Sequence, residues 1–410
     1  MEEKIKVSVI LPIHNLEKYL RESLEDVCGQ TLREIEIICV NDGSTDSSEE
    51  IIREFMQKDQ RIRLINQENL FAGAARNRGI EEAVGDYLIC WDGDDRFDKT
   101  ALEKLYQKCV EDDADLCICN AQRYDTLTQK FVKTDSYMVQ EFLPETMPFN
   151  AQSWPKYIFN FATNVPWNKL YRRAFVLEHG LKYETRERAN DVYFNMMARF
   201  LAEKITVVNE GLVAYRINNS ESLTGTLSRS PMNALEAFER SKEDLEKAGA
   251  FENPLIRESF ANRVLYSVLF ALHKQTDGAG FLAMYDYLKN GGLEKLLVTD
   301  EGEGYYYKDR VYLLLKRIHQ YSAIDYIMIR DAELMKERTE QRDQLRKEKN
   351  DLKNALAAVQ KELEASRKKT EDLKKSLEKK EKRLEEITSS KGYKALTKVW
   401  SVSAKVKGKK

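Results

Sequence analysis

The chain has 410 residues, 42% of them hydrophobic, enough for two or three compact units and at least one sizeable core. Its 66 Lys and Arg against 68 Asp and Glu leave a formal charge of −2, so the chain as a whole is no polycation built to neutralise nucleic acid. The balance is uneven: residues 1–330 sum to about −11 and residues 331–410 to about +9, so the two ends are expected to meet different partners.

Met1-Glu2-Glu3-Lys4 opens directly into a strand-like run, and no stretch reaches the roughly 18 apolar residues a spanning helix needs, so a cytoplasmic protein is expected. Residues 5–11, 35–40, 61–65 and 86–91 are short β-branched runs that predict strands. Between them residues 16–28, 46–58 and 71–84 have helical period. This alternation predicts an α/β fold with a parallel sheet and ligands at the carboxyl ends of its strands, where His14, Asn15, Asn41, Asp42 and Asp92 to Asp95 lie. All six cysteines (28, 39, 90, 109, 117 and 119) fall in the first third without a CxxC pair, and read as buried reduced thiols rather than a zinc site.

Further on, a helix is expected at 98–112, a strand at 115–120, an irregular aromatic stretch at 122–165, helices at 173–179 and 190–202, and a strand at 205–215. The first domain is expected to close near 228. From 229 to 330 apolar residues recur at helical spacing, broken at Gly291-Gly292 and at 301–304; Tyr305-Tyr306-Tyr307 reads as packing. From 331 to 390, Met335, Leu345, Leu352, Leu356, Val359, Leu363, Leu373, Leu377, Leu384 and Ile387 mark a heptad seam, predicting a coiled-coil homodimer; a solvated single helix is the alternative. The basic tail, 391–410, reads either as an amphipathic peripheral membrane anchor, with Tyr393, Leu396, Val399 and Trp400 dipping in, or as a disordered tail.

Asp92-Gly93-Asp94-Asp95 presents three carboxylates at a strand end, a donor set suited to Mg²⁺ or Mn²⁺ shared with substrate phosphates; an acidic solvated turn is the plain alternative. Beside it, Asn41-Asp42-Gly43-Ser44-Thr45-Asp46 adds a carboxylate, Asp42, that helix capping does not require, whereas Ser44 and Thr45 read as caps for the next helix.

Together with Val7-Ser8-Val9-Ile10-Leu11-Pro12-Ile13-His14-Asn15, Tyr19-Leu20 and Gly73-Ala74-Ala75-Arg76-Asn77-Arg78-Gly79, these segments resemble family 2 glycosyltransferases as far as about residue 225. The resemblance implies an inverting GT-A fold, a Rossmann-like sheet, acting on a nucleotide sugar, UDP foremost, and a glycan or lipid-linked acceptor in surface polysaccharide synthesis. It implies that Pro12, His14 and Asp42 surround the nucleoside, that Arg76 approaches base or diphosphate, that Asp92 holds ribose or the metal shell, and that Asp94 binds the metal. His14 reads equally as a hydrogen-bonded strand-end histidine. In the segment resembling the acceptor side, Trp167 is expected either to stack on a sugar or to anchor the sheet edge. Arg216, followed by Ser220, Ser222 and Thr224, resembles a loop that closes on the diphosphate. The family has Glu-Asp where this chain has Asn190-Asp191, so Asp191 is the expected base and Asn190 an acceptor-side amide in place of a carboxylate; a helix cap is the competing role for Asp191. Two rival functions remain, a sugar-phosphate nucleotidyltransferase, for which the loop after the first strand lacks glycine and arginine, and an inactive scaffold displaying the coiled coil.

Overall fold

The computed structural model describes residues 4–218 and 230–407. They form two compact units, one ending at Tyr326 and one beginning at Ile327.

In the first unit, β1 (Val7–Ile13), β2 (Ile35–Asp42), β3 (Ile62–Gln67) and β4 (Tyr87–Cys90) alternate with α1 (Leu20–Cys28), α2 (Ser48–Met56) and α3 (Phe71–Glu82). β1, β2 and β4 are buried at every position, as strands covered on both faces must be. They run parallel, with Ile13 opposite Asn41, Asp42 opposite Gln67 and Ile10 opposite Cys90, so their carboxyl ends open along one edge. Ile10 of β1 turns its carbonyl toward β4, accepting from Trp91 N at 3.0 Å, and Pro12, two residues on, faces the same way. The missing N–H of Pro12 therefore falls beyond the end of β4, and a proline is tolerated in a central strand.

The chain continues through β5 (Arg96–Phe97), α4 (Ala101–Glu111), β6 (Leu116–Asp125), β7 (Lys130–Lys133), β8 (Lys169–Arg172), α5 (Arg173–Glu178), α6 (Val192–Leu201) and β9 (Ile205–Ile217). Among the described residues the sheet has nine strands, in the order β3-β2-β1-β4-β8-β6-β9-β5, with β7 on β6. The expected parallel sheet is formed by β1 to β4, and the later strands make it mixed: β8 is antiparallel to β4 and β6, β5 to β9, and β7 to β6. Those three strands have two to four residues each, too few for any periodicity to register.

Helices α7 (Asn233–Lys247), α8 (Pro254–His273), α9 (Gly278–Tyr287), α10 (Leu293–Lys295) and α11 (Asp309–Gln320) belong to this same unit. Asn253 caps α8 by accepting from Leu255 N, with Pro254 at the first helical position. The expected breaks fall at Gly291, Gly302 and Gly304, all at positive φ. Tyr306 is buried and Tyr307 packs edge-on against Phe142 and Tyr157, as their reading as packing residues required.

The second unit carries most of α12 (Ala323–Ser389) and then α13 (Lys391–Lys407). From Arg338 to Ser401 every residue is exposed, the heptad leucines included. Among the described residues no helix is long and apolar enough to cross a membrane. Five of the six cysteines are buried, Cys28 partly so, and all are free thiols.

Candidate active site

Two loops at the strand ends are tied to each other by short polar side chains. Asn15, at a left-handed φ of 54°, donates its N–H to Ser44 Oγ at 3.1 Å and accepts at Oδ1 from Thr45 N at 2.8 Å. Asp46 accepts from Glu17 N at 2.9 Å and from Ser48 N at 3.0 Å, and Ser48 Oγ accepts from Leu16 N at 2.8 Å. Ser44 and Thr45 thus hold the first loop instead of capping α2; Asp46 is the residue that accepts from its first turn. Ser220, Ser222 and Thr224 lie outside the described residues.

His14 is exposed, and its Nδ1 donates to the Asp42 carbonyl at 2.8 Å, leaving Nε2 facing the amides of Asn15 and Asn69 at 3.3 Å each. It is a hydrogen-bonded strand-end histidine whose ring still meets solvent. The Asp42 side chain is 2% exposed, and Oδ1 accepts from Gln67 Nε2 at 2.7 Å and Leu70 N at 2.9 Å, which fixes its direction.

The acidic turn follows β4, closed by Asp95 N to Asp92 O at 3.1 Å. At Gly93 a Cβ would come within 3.0 Å of Leu16 Cδ1, so glycine seats the turn against the first loop. Asp95 is fully buried; Oδ1 accepts from Arg216 N at 2.8 Å and Oδ2 has no partner. Burial, then the Asp94 and Asp92 charges, holds its carboxyl well above the usual range. Burial and the Asp92 charge likewise push Asp94 up to about 6. Two carboxyls held up in this way, Asp94 and Asp95, beside a third at Asp92 make a place that a cation relieves. Among the described residues no group of three or more His, Cys, Asp or Glu is arranged to hold a metal. The available donors are Asp94 and the part-exposed Asp92, and this fits Mg²⁺ or Mn²⁺, which take few protein carboxylates and fill their shell with water and phosphate.

Arg216 corrects an expectation. It is 3% exposed, lies over the rings of Tyr19 and Tyr124, and donates to Asp94 O at 2.6 Å and Glu22 Oε2 at 3.0 Å. Its guanidinium braces the acidic turn from behind instead of reaching out to a diphosphate.

The Gly73–Gly79 segment also does something other than expected. A Cβ on Gly73 would lie 1.9 Å from the Glu184 carbonyl, so α3 and the 183–191 segment touch backbone to backbone. Asn77 pairs with both the N–H and the C=O of Tyr183 at 2.8 Å. Arg76, 4% exposed, bridges Asp92 Oδ1 at 2.7 Å and Asn190 Oδ1 at 2.9 Å. Burial alone would lower its proton affinity, but the Asp92 charge, the neighbouring Tyr183 and Cys90 and the hydrogen bond to Asp92 together raise it above the usual value. Arg76 therefore joins the acidic turn to the residue before Asp191, with both its NH groups committed. Asn190 is 5% exposed and serves Arg76 where an acceptor contact was expected.

Asp191 immediately precedes α6, yet its side chain makes no capping bond, which removes the competing structural role. Burial pushes its carboxyl up to about 6, against the pull of Arg76. A carboxylate tuned there ionises just below neutral pH and is well matched to accept a proton. Of the two roles open to Trp167 the structure favours the anchor: it is 2% exposed, stacked on Tyr215 and edge-on to Tyr137.

Sequence reasoning missed Glu22, Gln67 and Asn195. One signal was present for the last. Helix α6 is apolar along its inner face except at Asn195 and Arg199, four residues apart and both fully buried.

The chain matches the glycosyl transferase family 2 model over residues 8–180. It is 32% identical over 341 residues to glycosyltransferase GlyA of Streptococcus pneumoniae, a match spanning 80% of this chain and 48%, about half, of GlyA. It is 33% identical to glycosyltransferase GlyG of the same organism, across 66% of this chain and 91% of GlyG. Among solved structures it is similar to residues 1–349 of S. aureus TarS in complex with UDP-GlcNAc, with a TM-score of 0.60 and 19% identity over 80% of this chain and 92% of that one, a likeness of fold.

Proposed function

Since the chain belongs to glycosyl transferase family 2 and has its GT-A fold, we propose that it is an inverting hexosyltransferase using a nucleoside diphosphate donor. UDP is the first donor nucleotide to try, because the TarS fold neighbour is seen with UDP-GlcNAc. The acceptor is a hydroxyl of a glycan or lipid-linked precursor of surface polysaccharide. The observation that carries this reading is Asp191, an uncapped carboxyl with raised proton affinity, linked through Asn190 and Arg76 to Asp92.

In this reading Pro12, His14 and Asp42 line the nucleoside, with the fixed Asp42 carboxylate accepting from base or ribose. Asp94, with Asp92, would hold Mg²⁺ or Mn²⁺, whose charge neutralises the leaving diphosphate. Arg76 holds the Asp92 carboxylate and the Asn190 side-chain amide, next to Asp191, in register. Asp191 accepts the acceptor hydroxyl's proton as that oxygen attacks the anomeric carbon and the diphosphate leaves from the opposite face. Residues 1–228 form the transferase module and 229–330 its helical extension. The exposed seam of 331–390 pairs with a second copy, and the basic tail, 391–410, rests on the inner face of the cell membrane.

The test is incubation with a panel of nucleotide sugars plus Mn²⁺, measuring nucleoside diphosphate release. One responsive donor, silenced by EDTA, is expected; silence toward every donor in the presence of a glycan acceptor mixture overturns the reading.

A further inference from the structure

Three buried basic side chains on different elements converge on one irregular loop. Lys169 of β8, fully buried, donates to the carbonyls of Thr163 at 2.9 Å and Val165 at 2.6 Å and to Asn168 Oδ1 at 2.8 Å. Arg199 of α6, also fully buried, donates to the carbonyls of Phe159 at 3.1 Å and Ala162 at 2.9 Å, to its own helix at Asn195 O, and to Asn164 Oδ1. Arg263 of α8, 7% exposed, donates to the same two carbonyls, Phe159 at 2.6 Å and Ala162 at 2.8 Å. These donors are answered by backbone carbonyls and amides, not by carboxylates. Burial accordingly lowers the proton affinity of Arg199 to about 9, with the Arg263 charge adding to it, and that of Arg263 to about 10.

Charge buried without an ionic partner is costly, and a fork held to two carbonyls fixes a loop more narrowly than apolar packing does. Helix α8 adds Ser259, whose Oγ accepts from Phe159 N at 3.0 Å and from Asn160 Nδ2 at 3.0 Å. The loop in turn reaches the base. Asn195 Nδ2 donates both to Asn164 O at 2.7 Å and to Asp191 O at 2.9 Å, while its Oδ1 accepts from Tyr171 OH at 2.8 Å.

We infer that α8 is a working part of the transfer site, with Arg263 a positioning residue that sets the 159–164 loop and, through Arg199 and Asn195, the backbone carrying Asp191. This rests on Asp191 being the base. It gives the helical extension a role in turnover and not only in stability, although Arg263 touches neither substrate nor metal.

The test uses full-length Arg263→Met, Arg263→Lys and Ser259→Ala, with UDP affinity by calorimetry, transfer kcat on the responsive donor, and amide hydrogen exchange. Arg263→Met is expected to lower kcat about tenfold or more with UDP affinity unchanged, because small displacements of a base are amplified in rate. Its exchange should speed up in both 159–165 and 190–196. Arg263→Lys keeps the charge without the fork and should recover part of kcat. Should Arg263→Met fail to fold, Ser259→Ala, which removes only the hydroxyl, should give a smaller loss in the same direction. Unchanged kcat in a folded variant, or faster exchange confined to α8, overturns the inference. A wild-type chain inert toward every donor would instead overturn the functional reading, and exchange that spreads to 190–196 in Arg263→Met would still distinguish the two failures.

Discussion

The donor edge and the base side of this site are held together by different chemistry. At the donor edge, exposed Asn15 and its neighbours Ser44, Thr45 and Asp46 join two loops by single hydrogen bonds across about thirty residues of sequence. On the base side, fully buried Lys169, Asn195 and Arg199 pin the 159–168 loop and the start of α6 through a dense set of donors. Solvent-facing single bonds are exchanged for water at little cost, so on the proposed reading the loops that would meet a nucleotide can adapt to it. A buried network that loses one member leaves charges or carbonyls unanswered, so the base side is set before any substrate arrives. In the proposed function, binding falls to the solvent-facing edge and proton transfer to the buried one.

Substitutions on either side sharpen or break that division. The largest effect is expected from Asp94→Ala, which removes the part-exposed carboxylate of the acidic turn that is not paired to Arg76. Turnover should fall by about 10³, equivalent to losing several kcal/mol of charge stabilisation, and UDP affinity should become insensitive to Mn²⁺ in calorimetry. Asp42→Asn keeps an oxygen for Gln67 and Leu70 but loses the charge, so UDP Kd should weaken about tenfold with kcat preserved. A fall in kcat alone would move Asp42 to the other side of the comparison. Ser44→Ala removes one exposed bond to Asn15, and its effect on unfolding free energy and on UDP Kd should stay within about 1 kcal/mol. Last, a protein ending at residue 330 should keep its UDP affinity but sediment as a monomer where the full chain is a dimer. Equal mass per particle for both would show that the exposed seam is not a self-association surface.

The same contrast explains what the sequence made legible. Asp42, Asp92 and Asp94 stand at the ends of contiguous β-branched runs, and the parallel register of β1, β2 and β4 sets those ends along one edge, so local pattern sufficed to place them there. Ser44 misled because a hydroxyl before a helix looks the same whether it caps that helix or accepts from Asn15, 29 residues earlier. Trp167 stayed open between two roles because an aromatic at a strand start carries no mark of which way it faces, and Tyr215, which covers it, is 48 positions on in the sequence. Arg76 and Arg216 were placed in the right neighbourhood but with the wrong partners, since their carboxylates and carbonyls are fixed by tertiary contacts. The bracing of the base side by Arg263 spans 104 residues and has no local signature at all.

The division of labour rests on Asp191, and its most direct test is kcat against pH, with UDP affinity, for wild type and Asp191→Asn. A carboxyl raised to about 6 is protonated and idle below that pH, so wild-type kcat should rise through pH 6 to a plateau. Because its side chain makes no capping bond, Asp191→Asn costs the helix nothing on that account. The account predicts kcat lower by about 10² or more, with the acid limb gone and UDP affinity intact. Wild-type turnover with an unchanged acid limb in Asp191→Asn would contradict it.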